Sequence, residues 1–303
     1  MKPLPSLRQL RYLVEVVERR HFGAAAEACH VTQSTLSAGI QELEAILGIS
    51  LLERTKRKVL PTDLGLKLAG RARALLQDAE DFVDLAQAAR EPLTGSLRLG
   101  VIPTIGPFAL PRVLPGLRRS HPSLRLYLVE DQTARLLDRL ALGELDAAWI
   151  ALPYDLEGLE SALIADDHFL AALPKDHPLC HASRIDPAQL DPTELLLLED
   201  GHCLKDHALA ACRLPDVNTG FRGTSLNTLV QMVANGLGVT LLPELARESE
   251  LFRGADIVLR PLPADSPPRQ LGLVWRKSSG RKAEFQQLAT ELRRELQVKP
   301  QQV

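Results

Sequence analysis

The sequence of 303 residues is longer than one hydrophobic core usually supports, so two or more domains are expected. Hydrophobic residues make up 45% of the chain and charged residues 24%, a balance that excludes a disordered or collagen-like protein. The net charge of −2 conceals an asymmetry, because residues 1–76 carry 12 Lys/Arg against 7 Asp/Glu. This basic block indicates a polyanionic partner, although charge alone leaves a chance fluctuation equally open.

Neither a membrane span nor a signal peptide is expected. No apolar run approaches the ~20 residues that cross a bilayer, and charges interrupt the first apolar stretch. The expected location is the cytoplasm, where thiols are normally reduced, so Cys29, Cys180, Cys203 and Cys212 are expected to be core, catalytic or redox-sensing residues rather than a disulfide framework. The histidines are scattered along the sequence, and no metal site or cofactor is expected.

The first 47 residues indicate a helix-turn-helix. Apolar residues recur at helical spacing from Leu7 to Val17, and an alanine-rich stretch follows over residues 22–29. Thr32 is a suitable N-cap for a helix over residues 33–47, which Gly48 would end. Two short helices joined by a tight turn, the second polar at its start, are typical of this DNA-binding motif.

The next segment indicates a wing and a long helix. Residues 51–62 read as two short extended pieces around a basic tip, a surface suited to phosphate. Thr62 or Asp63 then caps a helix that runs to about residue 89 and carries an apolar face. Such a helix needs a partner, most simply the same helix of a second chain.

Beyond residue 95 the pattern changes to alternating strands and helices. Strands are expected at residues 96–101, 124–130, 147–152, 169–174, 195–199, 239–242 and 270–275, and helices at 107–120, 132–142, 225–236 and 281–296. Alternation of this kind indicates parallel α/β sheets. The domains expected are a winged helix-turn-helix over 1–62, a dimerising linker helix over 63–90, a hinge over 91–95 and a two-lobed regulatory domain over 96–303, with lobe I at about 96–165 and 268–303 and lobe II at about 166–267.

Several motifs together resemble the LysR-type transcriptional regulators. They are FGAAA at 22–26, VTQSTLS at 31–37, IQELE at 40–44, LLER at 51–54 and PTDLG at 61–65. The resemblance implies a winged helix-turn-helix, a dimerising linker helix, a two-lobed α/β effector domain similar to periplasmic binding proteins, and usually a tetramer. A narrower resemblance, to the hydrogen-peroxide sensors of that family, rests on LEDGHCLKD at 198–206, Cys212, IPTIGP at 102–107 and FRGTSL at 221–226.

The DNA-contacting residues follow from the helix-turn-helix and the wing. The polar start of the second helix of the motif, which would enter the major groove, consists of Thr32, Gln33, Ser34, Thr35 and Ser37. The phosphate contacts are expected from Arg54, Lys56, Arg57 and Lys58. The alternatives are a helix cap with a solvated first turn and a solvated charge run, and the wing together with its basic tip favours DNA.

The resemblance to the peroxide sensors implies that hydrogen peroxide oxidises Cys203 and that Cys212 resolves the product as a disulfide. It also places Thr104, Thr133, His202 and Arg269 around the peroxide. A helix that starts near Cys203 would favour the thiolate, and we expect a lowered pKa there. The alternatives are a buried inert cysteine, a strand-end cap for each threonine and a surface charge for the arginine.

The spacing of the two cysteines adds a geometric argument. If residues 203–212 were helical, the two Cα atoms would lie roughly 13 Å apart along the axis, whereas a disulfide needs about 4.4–6.8 Å. The bond would require the segment to unwind, which suits a reversible switch. The resemblance thus implies a peroxide-responsive regulator, not an enzyme, with double-stranded DNA, hydrogen peroxide, RNA polymerase, a thioredoxin- or glutaredoxin-type reductant and its own copies in a homotetramer as partners. The alternatives are a LysR-type sensor of a small metabolite held between the lobes and, more remotely, a thiol peroxidase-like enzyme.

Overall fold

The computed structural model describes residues 3–54, 59–88, 92–212 and 222–297. The chain divides into two compact units: the first comprises Met1–Arg90 with the short segments Arg139–Glu144 and Ser279–Arg281, and the second comprises the rest. None of the helices within the described ranges has the length and apolar character needed to cross a membrane.

The first unit is a winged helix-turn-helix followed by a long helix. Its elements are α1 Leu7–Arg19, α2 Phe22–Ala28, α3 Gln33–Leu47, β1 Leu52–Arg54, β2 Val59–Pro61 and α4 Asp63–Ala88. Thr32 caps α3 by accepting a hydrogen bond from the backbone N–H of Thr35, and Gly48 ends the helix in the left-handed conformation with φ 69°. The predicted helices and the predicted cap are therefore confirmed.

The wing is an antiparallel pair of short strands, β1 and β2, as predicted. The side chain of Glu44 fixes its base, because one carboxylate oxygen accepts from the backbone N–H of Leu51 at 2.7 Å. A Cβ at Gly65 would collide with the carbonyl oxygen of Leu51, so only glycine permits this approach of α4 to the wing. The tip residues Lys56, Arg57 and Lys58 lie outside the described residues, as does the side chain of Arg54.

Lobe I of the second unit is built on a five-stranded sheet. Its strands are β3 Gly95–Val101, β4 Leu124–Glu130, β5 Ala147–Leu152, β6 Leu159–Asp167 and β12 Arg269–Arg276, and its helices are α5 Gly106–Ser120, α6 Thr133–Ala141 and α9 Lys282–Gln297. The strand order is β4-β3-β5-β12-β6, with β3 parallel to both of its neighbours and β12 antiparallel to β5 and β6. The predicted parallel pairing is confirmed for β3, β4 and β5, but it is wrong for β12, which returns from the other lobe in the opposite direction.

Lobe II holds the remaining elements. They are β7 Phe169–Pro174, β8 Leu197–Leu198, α7 Cys203–Cys212, β9 Arg222–Gly223, α8 Leu226–Ala234, β10 Thr240–Pro243 and β11 Ile257–Pro261. The strands β10, β7 and β11 form an antiparallel sheet, which again differs from the parallel prediction, whereas β8 and β9 pair in parallel. The helices α7 and α8 pack on this sheet through a common apolar core.

Candidate functional site

The candidate site lies where parallel strands of lobe I end. Thr104 follows β3, and Thr133 follows β4 as the first residue of α6. Arg269 begins the antiparallel strand β12, so it reaches the same edge of the sheet from the opposite direction. The carboxyl ends of parallel strands in α/β folds are the usual place for a ligand site, because the loops and helix N-termini that follow them converge there.

Cys203 contributes the thiol from lobe II. It is the first residue of α7 and is buried, and its Sγ accepts a hydrogen bond of 3.5 Å from the hydroxyl of Thr133. The first residues of α6 and α7 therefore meet at the sulfur, and the N-terminal ends of both helices favour a negative charge there. The structure thus brings Cys203 and Thr133 together, as the sequence implied.

The expected lowering of the Cys203 pKa is wrong for this conformation. Burial raises the pKa of the thiol, and the opposing effects of the Thr133 hydrogen bond and the positive charge of Arg269 do not offset it. Asp206 on the same helix raises the pKa further. All four cysteines are free, and Cys203 rests as a neutral thiol in the closed, buried site.

Arg269 is buried and fully engaged by two neighbours. Its guanidinium forms an ion pair with Asp167 at 2.8 Å, donates to the hydroxyl of Thr104 at 2.8 Å and donates to the carbonyl oxygen of Thr104 at 2.9 Å. Because the hydroxyl oxygen of Thr104 accepts from the guanidinium, its own hydrogen is left to point elsewhere. Arg269 therefore holds the hydroxyl oxygen of Thr104 in place and leaves its hydrogen available to another acceptor.

A cavity of about 10 Å³ lies against the thiol. It is lined by Ile102, Pro103, Thr104, Gln132, Thr133, Gly201, His202 and Cys203. A cavity of this size holds about one water-sized molecule. Of the residues expected around the peroxide, Thr104, Thr133 and His202 line it directly, and Arg269 reaches it through Thr104.

A much larger cleft of about 1220 Å³ lies beside this cavity, between the two lobes. The walls that both cavities share are Pro103, Thr104 and His202. The ring of His202 is half-buried, and burial lowers its pKa below the usual value, so the ring is neutral near pH 7. Thr104 and His202 therefore lie between the cleft and the cavity at the thiol.

Cys212 lies at the opposite end of α7 from Cys203. The observed helix confirms the premise of the spacing argument, so the two Cα atoms are roughly 13 Å apart along the axis. Cys212 is packed in the apolar core of lobe II, and burial raises its pKa to about 11. Both cysteines are therefore protonated and separated by an intact helix in this structure.

Two residues of the site could not be read from the sequence. Asp167 ends β6, an unpredicted strand, and its partner Arg269 is 102 positions away. Gln132 faces Gly201, where a Cβ would lie 2.8 Å from the Gln132 side-chain oxygen and where φ is +95°. The nearest sequence signal was the glycine itself, which marks a position of close approach or positive φ.

The polar start of α3 is open to solvent. Thr32, Gln33, Ser34 and Thr35 are exposed, and Ser37 is half-buried. The hydroxyl of Thr32 also lies 2.9 Å from that of Ser34 and 2.7 Å from that of Thr35. Thr32 therefore acts as the helix cap. Among these five side chains, Gln33 is the longest.

Within the described ranges, no group of three or more histidine, cysteine or acidic side chains is arranged to hold a metal ion. Lys205, a cation near the thiol, donates to Asp200 at 2.9 Å, so the two charges largely cancel. The charged group that acts favourably on the Cys203 thiolate is Arg269.

A helix-turn-helix unit joined in one chain to a two-lobed α/β unit defines a DNA-binding regulator with a sensing domain. Residues 7–66 match the bacterial regulatory helix-turn-helix protein, LysR family, and residues 90–297 match the LysR substrate binding domain. The chain belongs to the LysR family of bacterial transcriptional regulators.

Two characterised relatives align along nearly the whole chain. A hydrogen peroxide-inducible genes activator of Dickeya chrysanthemi is 42% identical over 295 residues, which cover 97% of this chain and 96% of the relative. The HTH-type transcriptional regulator EstR of Acinetobacter baylyi is 44% identical over 297 residues, which cover 97% of this chain and 98% of the relative.

Solved structures give the same family relationship in three dimensions. A cysteine-to-aspartate variant of full-length OxyR from Pseudomonas aeruginosa has a TM-score of 0.79 at 39% identity, covering 96% of this chain and 98% of its own. A cysteine-to-serine variant of OxyR from Corynebacterium glutamicum, with hydrogen peroxide bound, has a TM-score of 0.66 at 37% identity, covering 98% and 94%. The resemblance to the peroxide-sensing members of the family is confirmed.

Proposed function

We propose that this chain is a peroxide-responsive transcriptional regulator of oxidative-stress genes, switched by oxidation of Cys203 and by a reversible Cys203–Cys212 disulfide. The observation that carries the proposal is the position of the Cys203 thiol, which meets Thr133 at the start of two helices beside a cavity of about the size of one water molecule. The peroxide-sensing relatives that align over nearly the full length support it.

The first step consumes one molecule of hydrogen peroxide. The Cys203 sulfur attacks one peroxide oxygen, the S–O bond forms and the O–O bond breaks, so the sulfur is oxidised to a sulfenic acid and the peroxide is reduced. The departing oxygen leaves as hydroxide and takes up the thiol proton to give water. Neutral His202, at the wall of the same cavity, is able to carry that proton between the two sites.

The threonines orient the peroxide, and Arg269 positions one of them. Thr133 donates to the sulfur, which stabilises the thiolate as it forms. Thr104, held by Arg269, directs its hydrogen into the cavity and binds the departing oxygen. Arg269 is thus a positioning residue, and its positive charge adds a second, electrostatic contribution.

The second step closes the disulfide. Cys212 attacks the sulfenic sulfur, the S–S bond forms, the S–O bond breaks and the hydroxyl leaves as water with the Cys212 proton. Because α7 separates the two cysteines, the helix has to unwind before they meet. The rearranged segment repacks the subunit contacts and changes how the protein binds DNA. A thioredoxin- or glutaredoxin-type protein then supplies two electrons and two protons, which return both cysteines to thiols.

The DNA-binding half follows from the helix-turn-helix. The start of α3, with Thr32, Gln33, Ser34, Thr35 and Ser37, reads the major groove of double-stranded DNA, and Arg54, Lys56, Arg57 and Lys58 contact phosphates. The proposed domains are the winged helix-turn-helix over 1–62, the linker helix over 63–90, the hinge over 91–95 and the regulatory domain over 96–303, with lobe I at about 96–165 and 268–303 and lobe II at about 166–267. The proposed protein partner in transcription is RNA polymerase. The proposed location is the cytoplasm, which keeps the thiols reduced.

Assembly into a homotetramer, as a dimer of dimers, is also part of the proposal. On α4 several large apolar side chains are exposed, and Phe82 is 76% exposed with Val83 and Leu75 at 53% each. A helix with such a face is satisfied by a second copy of itself. The regulatory domains supply the second contact.

The test is mass spectrometry of the thiols after one equivalent of hydrogen peroxide is added to the reduced chain, followed by DNA footprinting of both states. Rapid loss of two hydrogens, mapped to a Cys203–Cys212 bridge, is the expected result. A Cys212→Ser protein that changes its footprint normally under peroxide would exclude the disulfide. Peroxide is consumed once per cycle, so sustained consumption with a recycling reductant would indicate a peroxidase instead.

A further inference from the structure

The helix α7 contacts both lobes, through two neighbouring sides. One face carries Leu204, Ala208 and Cys212 into the apolar core of lobe II. The other face contacts lobe I, because Cys203 bonds to Thr133 and because His207, four residues further on, lies one helical turn away on the same side. Opening of α7 therefore has to break contacts with lobe I as well as with lobe II.

The imidazole of His207 contacts the segment that follows β5. Its Nε2 lies 3.5 Å from the carbonyl oxygen of Pro153, a long hydrogen bond in which the ring nitrogen donates. Its Nδ1 is buried and has no hydrogen-bond partner within the described ranges. Because Nε2 must carry the hydrogen in this contact, the ring is the neutral Nε2–H tautomer, and a second proton on Nδ1 would bury an unpaired N–H.

Charged and titratable groups face the ring from several elements. Burial lowers the pKa of His207, the Pro153 carbonyl raises it, the positive charge of Arg269 lowers it and Asp206 raises it. Tyr154 follows Pro153, and burial raises its pKa; the charges of Asp138 on α6 and of Asp206 raise it further. The net effect is a neutral ring at pH 7, and acidification weakens the closed arrangement.

We propose that His207 is a positioning residue that holds the middle turn of α7 against lobe I and so slows closure of the Cys203–Cys212 disulfide. The inference rests on the proposed redox switch and extends it. His207 stands midway along the helix that has to unwind, so its bond to Pro153 is present before closure and lost after it. An interaction that exists in the starting state and is broken on the way to the product raises the barrier between them. His207 is not among the residues that line the thiol cavity, so the first oxidation step is independent of it.

The test uses the full-length chain with His207→Leu, which keeps an apolar side chain but removes the bond, and His207→Gln, which keeps an N–H donor. After one equivalent of hydrogen peroxide, quenched samples are analysed for Cys203 sulfenic acid, trapped with a dimedone-type reagent, and for the disulfide. Leucine is expected to accelerate disulfide closure roughly two- to tenfold, the worth of one net hydrogen bond, while the rate of sulfenic acid formation stays at the wild-type value. Glutamine is expected to restore slow closure.

A pH series separates this role from a merely structural one. The ratio of the leucine variant's closure rate to the wild-type rate cancels the ionisation of Cys212, which both proteins share. The ratio is expected to fall towards one as the pH decreases below about 6.5, because the opened helix then takes up a proton on His207 that the closed helix disfavours, so wild-type closure becomes faster too. A ratio of one at neutral pH, or a glutamine variant that closes as fast as the leucine variant, overturns the role of His207. A wild-type chain that forms neither sulfenic acid nor disulfide overturns the redox switch itself.

Discussion

Replacement of Arg269 by methionine removes the charge at the centre of the site but keeps most of the side-chain length. Asp167, only 4% exposed, would then keep one partner within the described ranges, the backbone N–H of Leu245 at 2.9 Å. Removing one member of a buried ion pair costs about 3–5 kcal/mol, because the remaining charge is left without compensation. That is a large fraction of the ~5–15 kcal/mol that stabilises a typical domain.

Tryptophan fluorescence in urea measures this loss in the right part of the chain. The sequence has two tryptophans, Trp149 and Trp275, and both are buried in neighbouring strands of the lobe I sheet, β5 and β12. Their transition therefore reports the unfolding of the sheet that carries Arg269. Arg253→Met is the matched control, since its partner Glu250 and Arg253 itself are 73% and 80% exposed and the pair contributes about 0–1 kcal/mol.

A double variant distinguishes stability from chemistry. Adding Asp167→Asn to Arg269→Met removes the unpaired charge and keeps an oxygen for Leu245, so most of the lost stability is expected to return. Oxidation of Cys203 by peroxide is expected to stay slow, because the hydroxyl of Thr104 has lost the donor that directs it. A single variant within about 1 kcal/mol of the wild type, or a double variant with restored oxidation, would refute this account of Arg269.

Four further outcomes follow from the site. Thr133→Val is expected to slow sulfenic acid formation roughly tenfold or more in stopped-flow measurements, because a hydrogen bond to a developing thiolate is lost. Gly201→Ala, at φ +95° and with its new Cβ 2.8 Å from a side-chain oxygen, is expected to cost about 1–3 kcal/mol in urea, and Gly254→Ala, at φ +74° in open space, less. Alkylation of Cys212 in the reduced chain is expected to rise about tenfold per pH unit from pH 8 towards its pKa of about 11, and a plateau near pH 8 would contradict the burial. The free energy of unfolding is expected to decrease below about pH 6.5, since the unfolded chain then binds protons that half-buried His202 and His207 disfavour in the folded chain. His202→Gln is expected to make this decrease smaller.

Local signals made the first unit predictable from sequence. Thr32 caps α3 and Gly48 ends it at the predicted positions, because each residue acts through its own backbone neighbours. The pairing of the wing strands likewise depends on a few adjacent residues. The Gln9 side chain donates to Glu42 at 2.9 Å, a contact that gives the acidic residue on α3 a role in packing. That contact joins α1 to α3 and has no local sequence pattern.

The second unit was predictable in its parts but not in its assembly. The bounds of β4, β5 and β7 were predicted correctly, because each is a continuous or alternating apolar run. The strand β6 was missed, since it is a sheet-edge strand in which only three of nine residues are buried. The direction of β12 depends on how the chain returns from lobe II, which no local pattern encodes. The ion pair between Asp167 and Arg269 depends on the pairing of β6 with β12, so it could not be predicted either.

The raised pKa of Cys203 explains how one thiol is both protected and reactive. In the closed site the burial cost exceeds the favourable effects of Thr133 and Arg269, so the thiol stays neutral and inert to bulky electrophiles that do not fit a cavity of about 10 Å³. In the proposed mechanism, a peroxide beside the thiol brings two polar oxygens, which replace part of the lost hydration while the threonine, the arginine and the two helix N-termini stay in place. The hydrogen bond from Thr133 and the charge of Arg269, which lower the pKa of the thiol, then act against a smaller burial cost. On this mechanism the thiol reacts only when a small polar oxidant is beside it, and selectivity follows from burial rather than from a permanently ionised thiolate.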